Sequence, residues 1–159
     1  MIRAVEPRDV AAVLELVASV LGEFGLEFGK GSPTDEELHA LPASYAARGG
    51  AFWVACDDAD RVLGTCGLFP LAAGTFELRK MYLDADARGL GLGKALLATA
   101  IDWARQHGGT RIVLDTVEQM TRAIAFYEAH GFVRDDAQVR GARCSRGYVR
   151  LLEPNLIDL

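Results

Sequence analysis

Apolar positions recur along the chain with two periods, one matching strands and one matching helices, and together they predict an α/β protein. Ile2 to Val5 suits a first strand, and Glu6-Pro7 supply a cap and first helical position. Val10, Val13, Leu14, Val17 and Leu21 then form the buried stripe of an amphipathic helix. The stretch from Gly22 to Gly31, GEFGLEFGKG, ends that helix, because its four glycines cannot continue a stable one. A second helix is expected from Ser32-Pro33-Thr34-Asp35, with Ser32 as its cap and an acidic first turn. Its short stripe of Leu38, Leu41 and Tyr45 is interrupted by Pro42 and closed by Gly49-Gly50.

Phe52 to Cys56, Val62 to Phe69 and Thr75 to Leu83 read as three strands, and the short turns between them make them antiparallel neighbours. A helix follows to about His107, with Leu92, Leu96, Leu97, Ala100, Ile101 and Ala104 on its apolar face. Gly108-Gly109 stops it. Arg111 to Thr116 is then a strand apolar enough for burial on both faces, and the strand-helix-strand order predicts a parallel crossover. Thr121 to His130 forms another helix, ended by Gly131 as a left-handed cap. Phe132-Val133 begins a further strand, and Cys144 to Leu152 is the last. The four arginines from Arg140 to Arg150 read as surface charge.

Between the third of those strands and the long helix lies FELRKMYLDADARGLGLGK, residues 76–94. Gly89, Gly91 and Gly93 would each weaken a helix start by roughly 1 kcal/mol relative to alanine, so another demand accounts for them. Glycines let main-chain N–H groups approach a ligand, and the first turn of a helix adds unpaired donors and partial positive charge. Arg88 contributes a planar fork of donors suited to phosphate. The pattern therefore points to a phosphate or pyrophosphate. It is not a Walker loop, since Arg88 stands where the first glycine belongs and Ala95 where the hydroxyl belongs. Nor is it a dinucleotide fingerprint beginning at Gly89, which needs a small residue where Lys94 stands.

Composition narrows the classes further. The 159 residues suit a single domain, 1–159, able to bury about two thirds of its unfolded surface. Seventeen Lys and Arg against 22 Asp and Glu, with no long basic run, argue against nucleic acid as a main partner. No apolar run is long enough to span a membrane, and no leader is evident, so a soluble cytoplasmic protein is expected. Cys56, Cys66 and Cys144 lack metal-type spacing and read as free thiols in a reducing compartment.

Three blocks now carry a resemblance: Glu77-Leu78-Arg79-Lys80-Met81-Tyr82-Leu83, then Arg88-Gly89-Leu90-Gly91-Leu92-Gly93-Lys94, and then Ala123-Ile124-Ala125-Phe126-Tyr127-Glu128-Ala129-His130-Gly131-Phe132. In this order and spacing they resemble the GNAT superfamily of N-acetyltransferases, over roughly Phe52 to Val133. The resemblance implies a mixed central sheet of six or seven strands, mostly antiparallel with a central splayed parallel pair, flanked by about four helices. It implies acetyl-CoA as cosubstrate, its pyrophosphate on residues 88 to 94 and its pantetheine arm beside the main chain of Met81, Tyr82 and Leu83. It also implies a mobile wall between the first two strands, which makes Glu23, Phe24, Glu27 and Phe28 candidates for substrate contact. The alternative is that the phenylalanines close the core and the glutamates are solvated.

The expected reaction is acetyl transfer to a primary amine of a small molecule or peptide, by direct attack. The alternative is a non-catalytic acyl-CoA sensor of the same fold. Glu77, near the splay, is the candidate base, and it could instead orient the cationic substrate or pair with Arg79. Tyr127 stands where many family members place the tyrosine that protonates the departing thiolate, its alternative being a packed aromatic. One departure is Met120, where the family often carries an asparagine that touches the cofactor. The acidic Glu23, Glu27 and Glu77 lean towards cationic amines. Dimerisation through the last strands follows from family habit only.

Overall fold

A computed structural model describes residues 1–30 and 32–153. Seven strands form one sheet in the order β1-β2-β3-β4-β5-β7-β6. They are β1 (Ile2–Ala4), β2 (Ala51–Cys56), β3 (Val62–Ala72), β4 (Thr75–Leu83), β5 (Arg111–Thr116), β6 (Val133–Arg134) and β7 (Arg146–Leu151). All neighbouring pairs are antiparallel except β4 with β5. That parallel pair is joined by α3 (Leu92–Gln106), as the strand-helix-strand order requires.

The sheet is covered on two faces. One cluster gathers Leu96, Leu97, Ala100 and Ile101 of α3 and Ile124 and Tyr127 of α4 (Thr121–Ala129) against Leu68, Leu78, Ile112 and Leu114. The other gathers Val13, Val17, Val20 and Leu21 of α1 (Val10–Glu23) with Leu38, Tyr45, Phe52 and Val54. Alternate residues of β2 serve the two clusters, Trp53 and Ala55 one and Phe52 and Val54 the other. Among the described residues no helix is long and apolar enough to cross a membrane.

The helix expected from Ser32 to Tyr45 is not one α-helix. Pro33–Ala40 is a 3-10 segment, and α2 is a single turn, Ala43–Ala46. Ser32 does not cap it, because its hydroxyl pairs with that of Thr34 at 2.7 Å. Asp35, expected to serve the first turn of a helix, is drawn inward to cationic side chains of other elements. The buried stripe nevertheless holds, with Leu38, Leu41 and Tyr45 all in the core. At the far side, β7 pairs on both edges, with β5 and with β6, so the free edges of the sheet are β1 and the two-residue β6.

Candidate active site

The parallel ladder between β4 and β5 runs from Thr75 opposite Arg111 to Glu77 opposite Val113, and then stops. Both strands continue, β4 to Leu83 and β5 to Thr116, without pairing to each other. A cavity of about 650 Å³ is lined by both diverging ends, by Phe24 and Leu26, by the start of α3, by α4 and by the loop before β7. The divergence has a local cause. The β3–β4 register slips between Thr65 and Gly67, and Lys80 takes a φ of 55°, the geometry of a bulge, which bends a strand. The Thr65 hydroxyl donates to the Lys80 carbonyl at 2.7 Å and secures it.

At one end of the cavity is the glycine loop. Gly89 and Gly91 both have a φ of 82°, and a Cβ at either would meet nothing within 4 Å. Backbone conformation, rather than crowding, therefore calls for glycine at these two positions. Gly91 is the residue preceding α3, and the first amide with a main-chain acceptor is that of Ala95, bonded to the Gly91 carbonyl at 3.1 Å. Among the described residues the N–H groups of 88–94 have no acceptor. Unpaired donors at a helix start, with Lys94 and Arg88 beside them in the cavity wall, fit a diphosphate. The Arg88 Nη2 lies 2.8 Å from a Glu23 carboxylate oxygen and donates to the Leu83 carbonyl at 3.2 Å, which orients the guanidinium.

Deeper in the cavity, Tyr127 reaches the wall from α4 and is only 7 % exposed. Its hydroxyl has no hydrogen-bond partner among the described residues. Burial, reinforced by Tyr82 and Cys66, pushes its pKa well above the ordinary phenol value, so the proton stays on oxygen. Glu77 is also buried. Its Oε1 accepts from Arg79 Nε at 2.5 Å, and Arg79 in turn reaches Glu37 at 3.0 Å and lies 4.0 Å over the Phe69 ring. Its Oε2 has no hydrogen bond, and the Arg140 Nε stands 3.6 Å away. One oxygen thus makes the pairing with Arg79, while the other has only the longer ionic contact with Arg140 and can still accept a hydrogen bond.

A second charged group lines the same wall. Asp35, without exposed surface, accepts from Lys80 Nζ, from the Gly29 amide at 2.7 Å and from both terminal nitrogens of Arg143 at 3.2 Å. These residues lie 45 and 108 positions from Asp35, and no sequence pattern marks them as partners. Reading Arg143 as surface charge is therefore corrected: its side chain is 12 % exposed and forked on a buried carboxylate. Arg140 keeps the exposed character expected of it.

The remaining predicted residues separate. Met81, Tyr82, Leu83, Arg88, Gly89, Gly91, Gly93 and Lys94 line the cavity, as does Phe24. Leu90 is 70 % exposed, and Leu92 packs on the core, so their side chains lie outside the lining. Glu23 pairs with Arg88. Glu27 pairs with Lys30 at 2.7 Å on the surface, and Phe28 packs on the α1 cluster, edge-on to His39. Met120 is buried and lines the cavity, so the wall there is apolar.

Residues 18–132 match the Acetyltransferase (GNAT) family. The chain is 34 % identical over 140 residues to the uncharacterized N-acetyltransferase YjgM of Escherichia coli, covering 86 % of this chain and 83 % of that protein. Its fold is similar to a GNAT-family acetyltransferase from Staphylococcus aureus, with a TM-score of 0.89, 25 % identity, and 96 % and 99 % of the two chains covered. It is also similar to the PaiA N-acetyltransferase of Thermoplasma acidophilum, solved with coenzyme A, with a TM-score of 0.75 at 20 % identity over 95 % and 98 % of the chains. The protein belongs to the GNAT family of acetyltransferases. It is an N-acetyltransferase with the splayed parallel pair of that fold.

Proposed function

We propose that the protein transfers the acetyl group of acetyl-CoA directly to a primary amine, with Tyr127 and Glu77 as the residues that handle protons. The observation that carries this reading is the opening between β4 and β5, which has unpaired loop amides at one end and a buried tyrosine and carboxylate within. The residues present fit the cosubstrate: amides of 88–94, Arg88 and Lys94 hold the pyrophosphate. The stretch of β4 from Met81 to Leu83, which pairs with β3 but no longer with β5, offers main-chain groups on its open side to the pantetheine arm. Acetyl-CoA, when bound, supplies the activated acyl group and a thiol leaving group.

The acceptor must be neutral to attack. An alkylamine of pKa about 10.4 is neutral in only about one molecule in 2,500 at pH 7, equivalent to roughly 4.6 kcal/mol. Glu77 Oε2, buried and without a hydrogen bond, takes an N–H of the amine in place of its 3.6 Å contact with Arg140 and receives the proton, directly or through water. Tyr127 holds its proton tightly, which suits a donor that gives it up only when a thiolate forms beside it. The buried wall that raises the phenol also disfavours a free thiolate, so both sides of that transfer shift together. The three thiols are free, and burial pushes Cys66 up to about 12, as it does Cys144 with help from Asp115; none of them serves as an acyl carrier. Reduced thiols accord with a cytoplasmic enzyme.

Thiol release in the presence of acetyl-CoA and amines tests the reading. Tyr127→Phe and Glu77→Gln should each lower kcat by about 10²-fold, with coenzyme A affinity, measured by calorimetry, little changed. Binding of coenzyme A without thiol release from any amine would instead establish an acyl-CoA sensor. Full turnover in both variants would remove these two residues from the chemistry.

A further inference from the structure

The cavity wall on the acceptor side sets Arg140 and Arg143 near Glu77 Oε2, a carboxylate oxygen that has no hydrogen bond and faces Arg140 Nε at 3.6 Å. Lys80 and Arg143 are both buried and share a single carboxylate, that of Asp35. Burial pushes Lys80 below the ordinary lysine range, and Arg143 and Arg79 push it the same way against the pull of Asp35. Arg79 is balanced by Glu77 and Glu37. Arg140, at the cavity wall, has only the 3.6 Å ionic contact with Glu77 Oε2, and among the described residues its guanidinium makes no hydrogen bond. Its loop is fixed from below, because Asp115 Oδ2 accepts the amides of Arg140 and Gly141 at 2.7 and 2.8 Å, and that carboxylate is thereby engaged. Glu23 and Glu27, which would favour a cationic acceptor, are spent on Arg88 and Lys30 away from this wall.

Resting on the acetyl-transfer reading, we infer that the acceptor is a small zwitterion: an amine that also bears a carboxylate, the amine meeting Glu77 Oε2 and the carboxylate meeting Arg140 and Arg143. Arginine is suited to this role because its planar fork matches a carboxylate. Arg143 keeps a firm orientation through its double contact with Asp35 and its bond to the Lys30 carbonyl at 3.1 Å, so little ordering is left for the moment of binding. An amine with no anionic group takes Glu77 Oε2 from Arg140 and gives the arginine no partner in return, and a polyamine does the same.

The test compares matched series in which only the carboxylate changes: L-amino acids and β-alanine, their C-terminal amides, and the corresponding decarboxylated amines. With acetyl-CoA saturating, the acid of the best series should exceed its amide in kcat/KM by about tenfold or more, chiefly through KM, as loss of a charge-assisted hydrogen bond implies. Arg140→Gln, at a half-exposed side chain, should shrink the acid-to-amide ratio towards one without weakening coenzyme A binding in calorimetry. Arg143→Gln should do the same, with its folding checked by thermal denaturation. Amides or decarboxylated amines used as well as the acids would overturn the inference while leaving acetyl transfer intact. An unchanged ratio in both variants would overturn the assignment to these arginines. Absence of thiol release from every compound would overturn the transfer reading and this inference with it.

Discussion

A carboxylate with no exposed surface is tolerated only while cations face it, and Asp35 is held by two from distant elements. Asp35→Asn leaves Lys80 and Arg143 buried without their counter-charge, and should cost about 3–5 kcal/mol in urea denaturation at pH 7. The sign of its pH dependence follows from its shift. Burial alone would raise the Asp35 pKa, but Lys80, Arg143 and the Gly29 amide outweigh it and hold it below the ordinary 3.8. Asp9 is lowered likewise, by its hydrogen bonds from Arg3 and from the Glu6 amide. The unfolded chain then binds protons more readily than the folded one, so this stability is full above the unfolded pKa of about 4 and is lost as pH falls through the folded values. Denaturation midpoints should therefore drop in acid, and the drop should be shallower in Asp35→Asn.

At the scale of the element, the loop from Asp84 to Lys94 is turned by the Asp84 carboxylate, which accepts the Asp86 amide, and then by two left-handed glycines. An alanine held in that conformation costs about 1–2 kcal/mol, and a loop that escapes the cost by flipping carries its amides elsewhere. Gly91→Ala should therefore raise the Kd for coenzyme A by about tenfold as one such loss of interaction, measured by calorimetry. Gly22→Ala is the informative contrast. Gly22 lies in α1, with open space around a Cβ and no positive φ, so alanine there should leave coenzyme A binding alone and stabilise the fold by about 0.5–1 kcal/mol.

At the scale of the whole molecule, both apolar clusters use the one sheet, and β2 alternates between them. We expect a single cooperative transition. Trp53 and Trp103 meet edge to face in the α3 cluster, with ring centroids 5.9 Å apart, so their fluorescence reports that face, whereas far-ultraviolet circular dichroism reports every element. Leu21→Ala, on the opposite face, should cost about 2–5 kcal/mol and move both signals by the same amount. Fluorescence that stayed in place while the dichroism shifted would mean that the two faces unfold separately.

The strands, the two long helices and the glycine loop were legible in the chain because each is local: period, turn residues and the Arg-x-x-Gly-x-Gly spacing all fall within a few residues of one another. Tyr127 and Glu77 were legible as candidates for the same reason, since each sits in a block with a recognisable order. The Asp35, Lys80 and Arg143 group was not, and the helix expected around Asp35 gave way to a 3-10 segment. Charged residues so far apart in sequence have no local signature, and their pairing is decided only when the β4 bulge turns Lys80 inward and the loop before β7 folds over the 3-10 segment. The sequence by itself determined where unpaired main-chain amides would gather at a helix start, the place proposed for a diphosphate. Which charges line the cavity was decided by tertiary structure alone, because a buried ion pair depends on where the fold excludes water, and water exclusion is a property of the assembled molecule.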